Sequence, residues 1–324
     1  MRVLVTGGAG YIGSILVRKL IENDFDVIAL DNLSTGHKES IPASKLITSD
    51  LLNKKEVEES FKSQTFQLVI HLAIKSGATT DPYTCIYSNL NSTLNLLECM
   101  SNSQARKIIV CSSYEVYGKP DKNIVSEESR INIQSVYAES INMIERFLGW
   151  YDLMHGIKAI SLRTFCVSGA SLDGNTGEDK EEYECVIPNV VKAALGDGVL
   201  RLSGADFKTS DGTRILDYVH VDDMADAFIK AIEYLHRSGR SEIFNIGSGI
   251  GHSVKEIITE VENQTGKKLN VVPFPKKASE VDAIWADITQ ARNLLSWEPK
   301  FSLSDMIQTA IYWHVKHPNG YGEN

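Results

Sequence analysis

The run Val3-Leu4-Val5-Thr6-Gly7-Gly8-Ala9-Gly10-Tyr11-Ile12-Gly13 constrains this chain more than any other stretch. An apolar segment breaks into glycines and restarts with helical spacing, the form of a nucleotide-binding strand, turn and helix. Gly7 lets the chain leave the strand in a tight turn, Gly10 lets backbone approach a pyrophosphate, and Gly13 lets the helix pack closely on the sheet. The helix N-terminus then offers N–H donors and positive partial charge to phosphates. Spaced glycines alone are common in turns that bind nothing. Here a second apolar strand, residues 27–30, ends at Asp31 at the distance expected for a ribose-binding carboxylate. A carboxylate there binds ribose hydroxyls and repels a 2′-phosphate, so NAD is expected in preference to NADP.

Strand and helix patterns alternate through the first half. Strands are predicted at residues 3–6, 27–30, 45–48, 68–72, 108–112 and 159–162, and helices near 12–23, 54–63, 86–100 and 136–155. Such alternation predicts an α/β fold, a Rossmann-like doubly wound parallel sheet with a smaller, interleaved C-terminal substrate-binding lobe. Residues 1–165 form the expected NAD-binding domain and 166–324 mainly the substrate lobe. Further helices are expected at 187–195, 221–236, 253–264 and 303–317, with a strand at 242–246. Ligands of such sheets lie beyond the carboxyl ends of strands, which puts Asp50, Ala73, Ser112 and Ser113 on the functional rim.

Composition narrows the class. With 324 residues, 43% of them hydrophobic, the chain can bury a large core. No stretch is apolar enough to span a bilayer, and the chain enters a strand at once, without room for a signal peptide, so a cytoplasmic protein is expected. Five cysteines (Cys85, Cys99, Cys111, Cys166, Cys185) show no metal-ligand spacing; free thiols and no metal are expected. A net charge of −9 argues against nucleic acid as a bulk partner.

Taken together the motifs resemble the extended short-chain dehydrogenases/reductases, and among them the UDP-glucose (UDP-galactose) 4-epimerases. They include V-T-G-G-A-G-Y-I-G-S at the start, L-D-N-L-S-T-G-H at 30–37, H-L-A at 71–73, N-x-x-x-T-x-N-L-L at 89–97 and S-S-x-E-V-Y-G at 112–118. G-E-D at 177–179, D-G-T-x-x-x-D-Y-V-H-V-D-D at 211–223 and H-P-N-G-Y at 317–321 complete the set. The resemblance implies NAD held by Gly7, Gly10, Tyr11, Ile12, Gly13, Asp31, Asn32, Ser34 and Gly36, with Asp50 and Leu51 near the adenine. Ala73 and Asn89 would lie near the nicotinamide half, and Leu72, Ile74, Ser112 and Tyr137 would also contact the cofactor. It also implies a nucleotide sugar, UDP-linked, that gives up a hydride from its 4-position and takes it back on the other face. A homodimer would form through helices 86–100 and 136–155.

Several positions depart from that pattern. The family's serine and Y-x-x-x-K tyrosine correspond to Ser113 and Tyr137, but the lysine is Ile141. That lysine normally bonds the nicotinamide ribose and lowers the tyrosine pKa. An unperturbed tyrosine, with pKa about 10, is ionised in roughly one molecule in a thousand at pH 7. On the substrate side the F-N-P asparagine is Cys166, and the diphosphate-binding arginine is Leu216, with Arg214 two residues earlier. The R-x-x-D pair becomes Lys277 and Glu280. Glu115 matches the catalytic glutamate of nucleotide-sugar dehydratases, though Tyr114 replaces its acidic partner, and a helix-start role is equally open. Two classes of function follow: an NAD-dependent epimerase, with dehydratase or 4-dehydrogenase chemistry as variants, or a noncatalytic NAD and nucleotide-sugar binder. His71, His220 and His252 read as structural, and His314 and His317 as part of a solvated C-terminal turn.

Overall fold

The computed structural model describes residues 1–75, 81–180, 185–204, 206–276 and 280–322. Seven parallel strands form the main sheet: β1 (Arg2–Thr6), β2 (Asp26–Asp31), β3 (Leu46–Thr48), β4 (Leu68–His71), β5 (Lys107–Ser113), β7 (Lys158–Thr164) and β11 (Glu242–Ile246). Their spatial order is β11-β7-β5-β4-β1-β2-β3. The order reverses between β1 and β4, which opens a crevice at the strand ends where a nucleotide fits. Successive residues of one strand feed different cores: Val3 and Val5 join one cluster and Leu4 the other. The strands therefore read as continuous apolar runs instead of alternating ones, because both faces are covered.

Helices α1 (Tyr11–Glu22) and α6 (Val221–Ser238) cover one face, and α2 (Lys54–Ser63), α3 (Pro82–Ser101) and α4 (Val136–His155) the other. The ends of α4 are written locally: Ser135 Oγ accepts from the Ala138 N–H, and Gly156 at φ 65° stops the helix. Helix α3 starts four residues before its predicted position. Asp81 caps it through the Thr84 N–H (3.0 Å) and Pro82 takes the first helical position.

The remaining elements are β6 (Ile124–Val125), β8 (Cys166–Ser168), α5 (Val186–Leu195), β9 (Val199–Ser203), β10 (Ile215–His220), β12 (Gly251–Ser253), α7 (Val254–Thr265), β13 (Asn270–Phe274), β14 (Ala283–Ala286) and α8 (Leu303–Lys316). A second sheet runs β12-β10-β14-β6, with β8 also on β10, and β9 pairs with β13. The halves exchange strands: β6 joins the second sheet, while β11 completes the first. One expectation fails. His314 and His317 are not solvated, since His317 stacks on Trp313 (4.2 Å) and bonds the Gly174 carbonyl, and burial pulls His314 down to about 4. No helix among the described residues is long and apolar enough to cross a membrane.

Candidate active site

The first turn is shaped by what cannot fit in it. Gly7 has φ +70°, and a Cβ on Gly13 would lie 2.1 Å from the Gly7 carbonyl oxygen. Tight closure between Gly7 and Gly13 leaves α1 beginning at Tyr11 with no side-chain cap for its first N–H groups. Gly10 supplies the N-cap and Ile12 the second helical residue. The Tyr11 hydroxyl turns away and donates to the Gly169 carbonyl (2.7 Å), tying this helix to the C-terminal half.

Asp31 ends β2 beside this turn. Its carboxylate accepts from the Ala9 N–H (2.9 Å) and the Leu33 N–H (2.8 Å), so the carboxylate is fixed at the mouth. Gly36 packs on Ala9, where a Cβ would meet backbone at 2.9 Å. Asn32 accepts from the Ser34 N–H and donates to Asp50 (3.2 Å), which gathers both rim carboxylates at the β2 and β3 ends. Leu51 is buried next to them, its carbonyl accepting from Asn95 (2.9 Å).

Beyond β4 the chain curls tightly: the Ile74 N–H donates to the Leu72 carbonyl (2.7 Å), and Ala73 backbone lies against Gly7. Asn89 on α3 holds this curl through both backbone groups of Lys75. At the end of β5, Ser113 is buried and its hydroxyl accepts from the Glu115 N–H (3.2 Å). The Glu115 carboxylate accepts from Ser135 Oγ (3.1 Å), the cap of α4, two residues before Tyr137. Negative charge at a helix start is stabilising, so Glu115 has the helix-start position that its sequence left open. Tyr137 is half-buried on α4, and Ile141, one turn on, is 1% exposed in the main core.

Below them lies a pair that sequence reading missed. Arg163 on β7 meets Glu145 on α4 with two hydrogen bonds (3.0 and 2.7 Å), both side chains under a tenth exposed. Ser112 donates to the same Glu145 (2.6 Å), and Arg163 donates to the Tyr117 hydroxyl (3.0 Å), which donates to Asn245 (2.7 Å). Glu145 follows Tyr137 and Ile141 at i+4 intervals, the one signal available in sequence.

On the opposite wall Cys166 begins β8, and the Tyr114 ring stacks on Phe165 at 5.1 Å with its hydroxyl near Cys166 Sγ (3.9 Å). Arg214 is largely buried and 3.9 Å from Glu280, whose other oxygen accepts from Ser203 (2.8 Å). Arg214 Nε and the Tyr218 hydroxyl are buried without a hydrogen-bond partner among the described residues, an arrangement suited to a ligand's acceptor oxygens. Contact with Cys185, and then the Arg214 charge, draws the Cys166 thiol below its ordinary range against burial. Lys277 lies outside the described residues. His71 is clamped between Thr6 (2.7 Å) and Thr93 (3.0 Å), and burial lowers it to about 4; His220 bonds Thr309 and the Asp222 N–H. Among the described residues no cluster could hold a metal.

Comparison with known proteins agrees with this architecture. The model of the NAD dependent epimerase/dehydratase family matches residues 3–247. A UDP-glucose 4-epimerase of Lactobacillus helveticus is 36% identical over 327 residues, 99% of each chain, and one of Bacillus subtilis (strain 168) is 31% identical over 99% of each. A crystal structure of a UDP-glucose 4-epimerase superposes with TM-score 0.95 at 33% identity over the whole of both chains. That of the Bifidobacterium longum UDP-glucose 4-epimerase, in complex with NAD+ and UDP, gives 0.93 at 29% identity, covering 99% of this chain and all of the other. With the glycine turn, the rim serine and the full-length likeness in agreement, the chain belongs to the NAD-dependent epimerase/dehydratase family.

Proposed function

We propose that this protein is an NAD-dependent nucleotide-sugar 4-epimerase acting on a UDP-hexose. The observation that carries the reading is that Ser113 and the start of the Tyr137 helix share one rim with the glycine turn, joined by the Glu115 to Ser135 bond. The uncapped start of α1 and the Gly7–Gly13 closure fit a pyrophosphate, and the fixed Asp31 carboxylate fits ribose hydroxyls, which favours NAD over NADP. When bound, NAD supplies a reversible hydride acceptor for the sugar 4-position. Ser113 orients the 4-hydroxyl, and Tyr137 takes its proton and returns it. Asn32, Ser34, Asp50 and Leu51 line the adenine end, while Leu72, Ala73, Ile74, Asn89 and Ser112 shape the nicotinamide end. Arg214, with its unpartnered Nε, holds the diphosphate; Cys166, Lys277 and Glu280 complete the substrate wall.

Residues 1–165 carry the cofactor and 166–324 mainly the sugar nucleotide. We place the protein in the cytoplasm, in keeping with its five free thiols. It pairs as a homodimer through α3 and α4, which expose Tyr83, Tyr87, Trp150, Leu153 and Met154; a monomer in light scattering at micromolar concentration would overturn this. The burial of Ile141 favours a second reading, a noncatalytic binder of NAD and nucleotide sugar. Absorbance in the reduced-nicotinamide band separates the two. Adding a UDP-hexose to the purified protein should raise it transiently, whereas silence toward every nucleotide sugar with NAD bound would leave only the binder. Elimination or an accumulated 4-keto product would instead give Glu115 the dehydratase or 4-dehydrogenase role.

A further inference from the structure

The ends of β5, β7 and β11 carry one polar row. Strand register sets Ser112 opposite Arg163 and Arg163 opposite Asn245, and neighbours in register share a face of the sheet. Helix α4 meets this row with Glu145. Oε1 of that carboxylate accepts from both Arg163 Nε (3.0 Å) and Ser112 Oγ (2.6 Å), while Oε2 accepts from the second arm of the guanidinium (2.7 Å). Arg163 also donates to the Tyr117 hydroxyl (3.0 Å) and lies over its ring at 5.0 Å.

These contacts bracket Ser113. Ser112 precedes it, and Tyr117 closes the 3₁₀ turn Tyr114–Tyr117 that follows it. Ser113 is extended, so its side chain leaves the sheet on the face opposite Ser112, where its hydroxyl accepts from the Glu115 N–H (3.2 Å). Both flanks of Ser113 are thus anchored to one buried ion pair, and the acidic member of that pair stands on α4, two turns beyond Tyr137. Stability alone does not call for such an arrangement. Apolar residues of similar volume can replace a buried ion pair at little or no cost, whereas only hydrogen-bonding groups can hold the Ser112 and Tyr117 hydroxyls in place.

We propose that Glu145 and Arg163 are positioning residues for hydride transfer, setting Ser113 relative to Tyr137 by tying both flanks of the serine to the helix that carries the tyrosine. This rests on the reading of Ser113 and Tyr137 as the groups that meet the sugar 4-hydroxyl. Neither member of the pair touches the sugar or exchanges a proton with it. A displacement of about 1 Å in such a pair of groups can cost about 100-fold in rate.

The test uses two variants as purified, NAD-loaded proteins. Arg163→Met with Glu145→Leu removes both anchors and leaves no charge buried unpaired, and Tyr117→Phe removes one anchor and keeps the ion pair. Amide hydrogen exchange across residues 112–118, which include the Glu115 N–H held by Ser113, should quicken by about tenfold or more in both, with β1 and β4 exchanging as in the parent. With a UDP-hexose, kcat should fall by about 10–100-fold while KM changes by less than about threefold. The double variant should show this at a denaturant midpoint close to the parent's, which a merely structural pair would not produce. Parent-like exchange across 112–118 in both variants, or parent-like kcat in the folded double variant, would overturn the proposal; should the double variant not fold, Tyr117→Phe decides on the same two readouts. Exchange needs no sugar, so the two readings fail separately. Faster exchange in the variants of a protein that turns over no UDP-hexose would sink the epimerase and keep the positioning assignment, and turnover with parent-like exchange would do the reverse.

Discussion

Single residues set opposite limits on this site. Gly13 tolerates nothing larger, since a Cβ would press on the Gly7 carbonyl, whereas Ile141 fills a position where the family pattern has lysine. The Tyr137 phenol therefore has no lysine one turn further along its own helix. Ile141→Lys should lower its pKa and raise hydride transfer from a UDP-hexose, by about tenfold at pH 7 for each unit gained. The gain should vanish in the double change with Tyr137→Phe, because lysine acts through the phenol. Stopped-flow absorbance in the reduced-nicotinamide band measures both; a slower Ile141→Lys enzyme would show that the site does not accept a cation at position 141. Burying an ammonium where isoleucine sat will also cost stability, so the comparison belongs at a temperature well below unfolding.

Elements are held together by pairs that form only in three dimensions. Arg163 and Glu145 join β7 to α4, and through Ser112 they fix the strand that ends in Ser113. Arg163→Met should destabilise the fold by about 3–5 kcal/mol, as it strands the Glu145 carboxylate, and Glu145→Leu in the same chain should recover much of the loss. Denaturant unfolding checks this; equal stability of the double and single variants would contradict it. Such pairs explain what the sequence left unread. Strands β1, β2, β4, β5 and β7 were legible because both faces are buried, and α4 because Ser135 and Gly156 mark its ends. The glycine turn was legible because backbone geometry alone demands those glycines. Arg163 with Glu145, Lys75 with Asn89, and Tyr114 with Cys166 pair residues between 14 and 52 positions apart, which no local spacing reveals. Strands β6, β8, β12 and β14, of two to four residues, are too short for periodicity to show. The early start of α3 was readable in Asp81-Pro82.

At the scale of the whole molecule, buried histidines couple folding to pH. Burial lowers His71, His220 and His314 from the ordinary 6.5 to about 4. The unfolded chain thus binds protons that the native one excludes, so stability contributed by these groups is present above pH 6.5 and declines as pH falls toward 4. Each histidine contributes a slope of up to about 1.4 kcal/mol per pH unit. The thermal midpoint of the parent should drop across that window more steeply than that of His71→Asn; parallel curves would contradict the burial of a neutral His71. With NAD bound, the rim that carries Ser113 and Tyr137 is expected to take a hydride from the sugar and return it to the same carbon. The direct measurement follows UDP-galactose deuterated at the 4-position by NMR in ordinary water. UDP-glucose that keeps deuterium at the 4-position is the predicted product; loss of the label to solvent, a product lacking the elements of water, or unchanged UDP-galactose with NAD bound would contradict it.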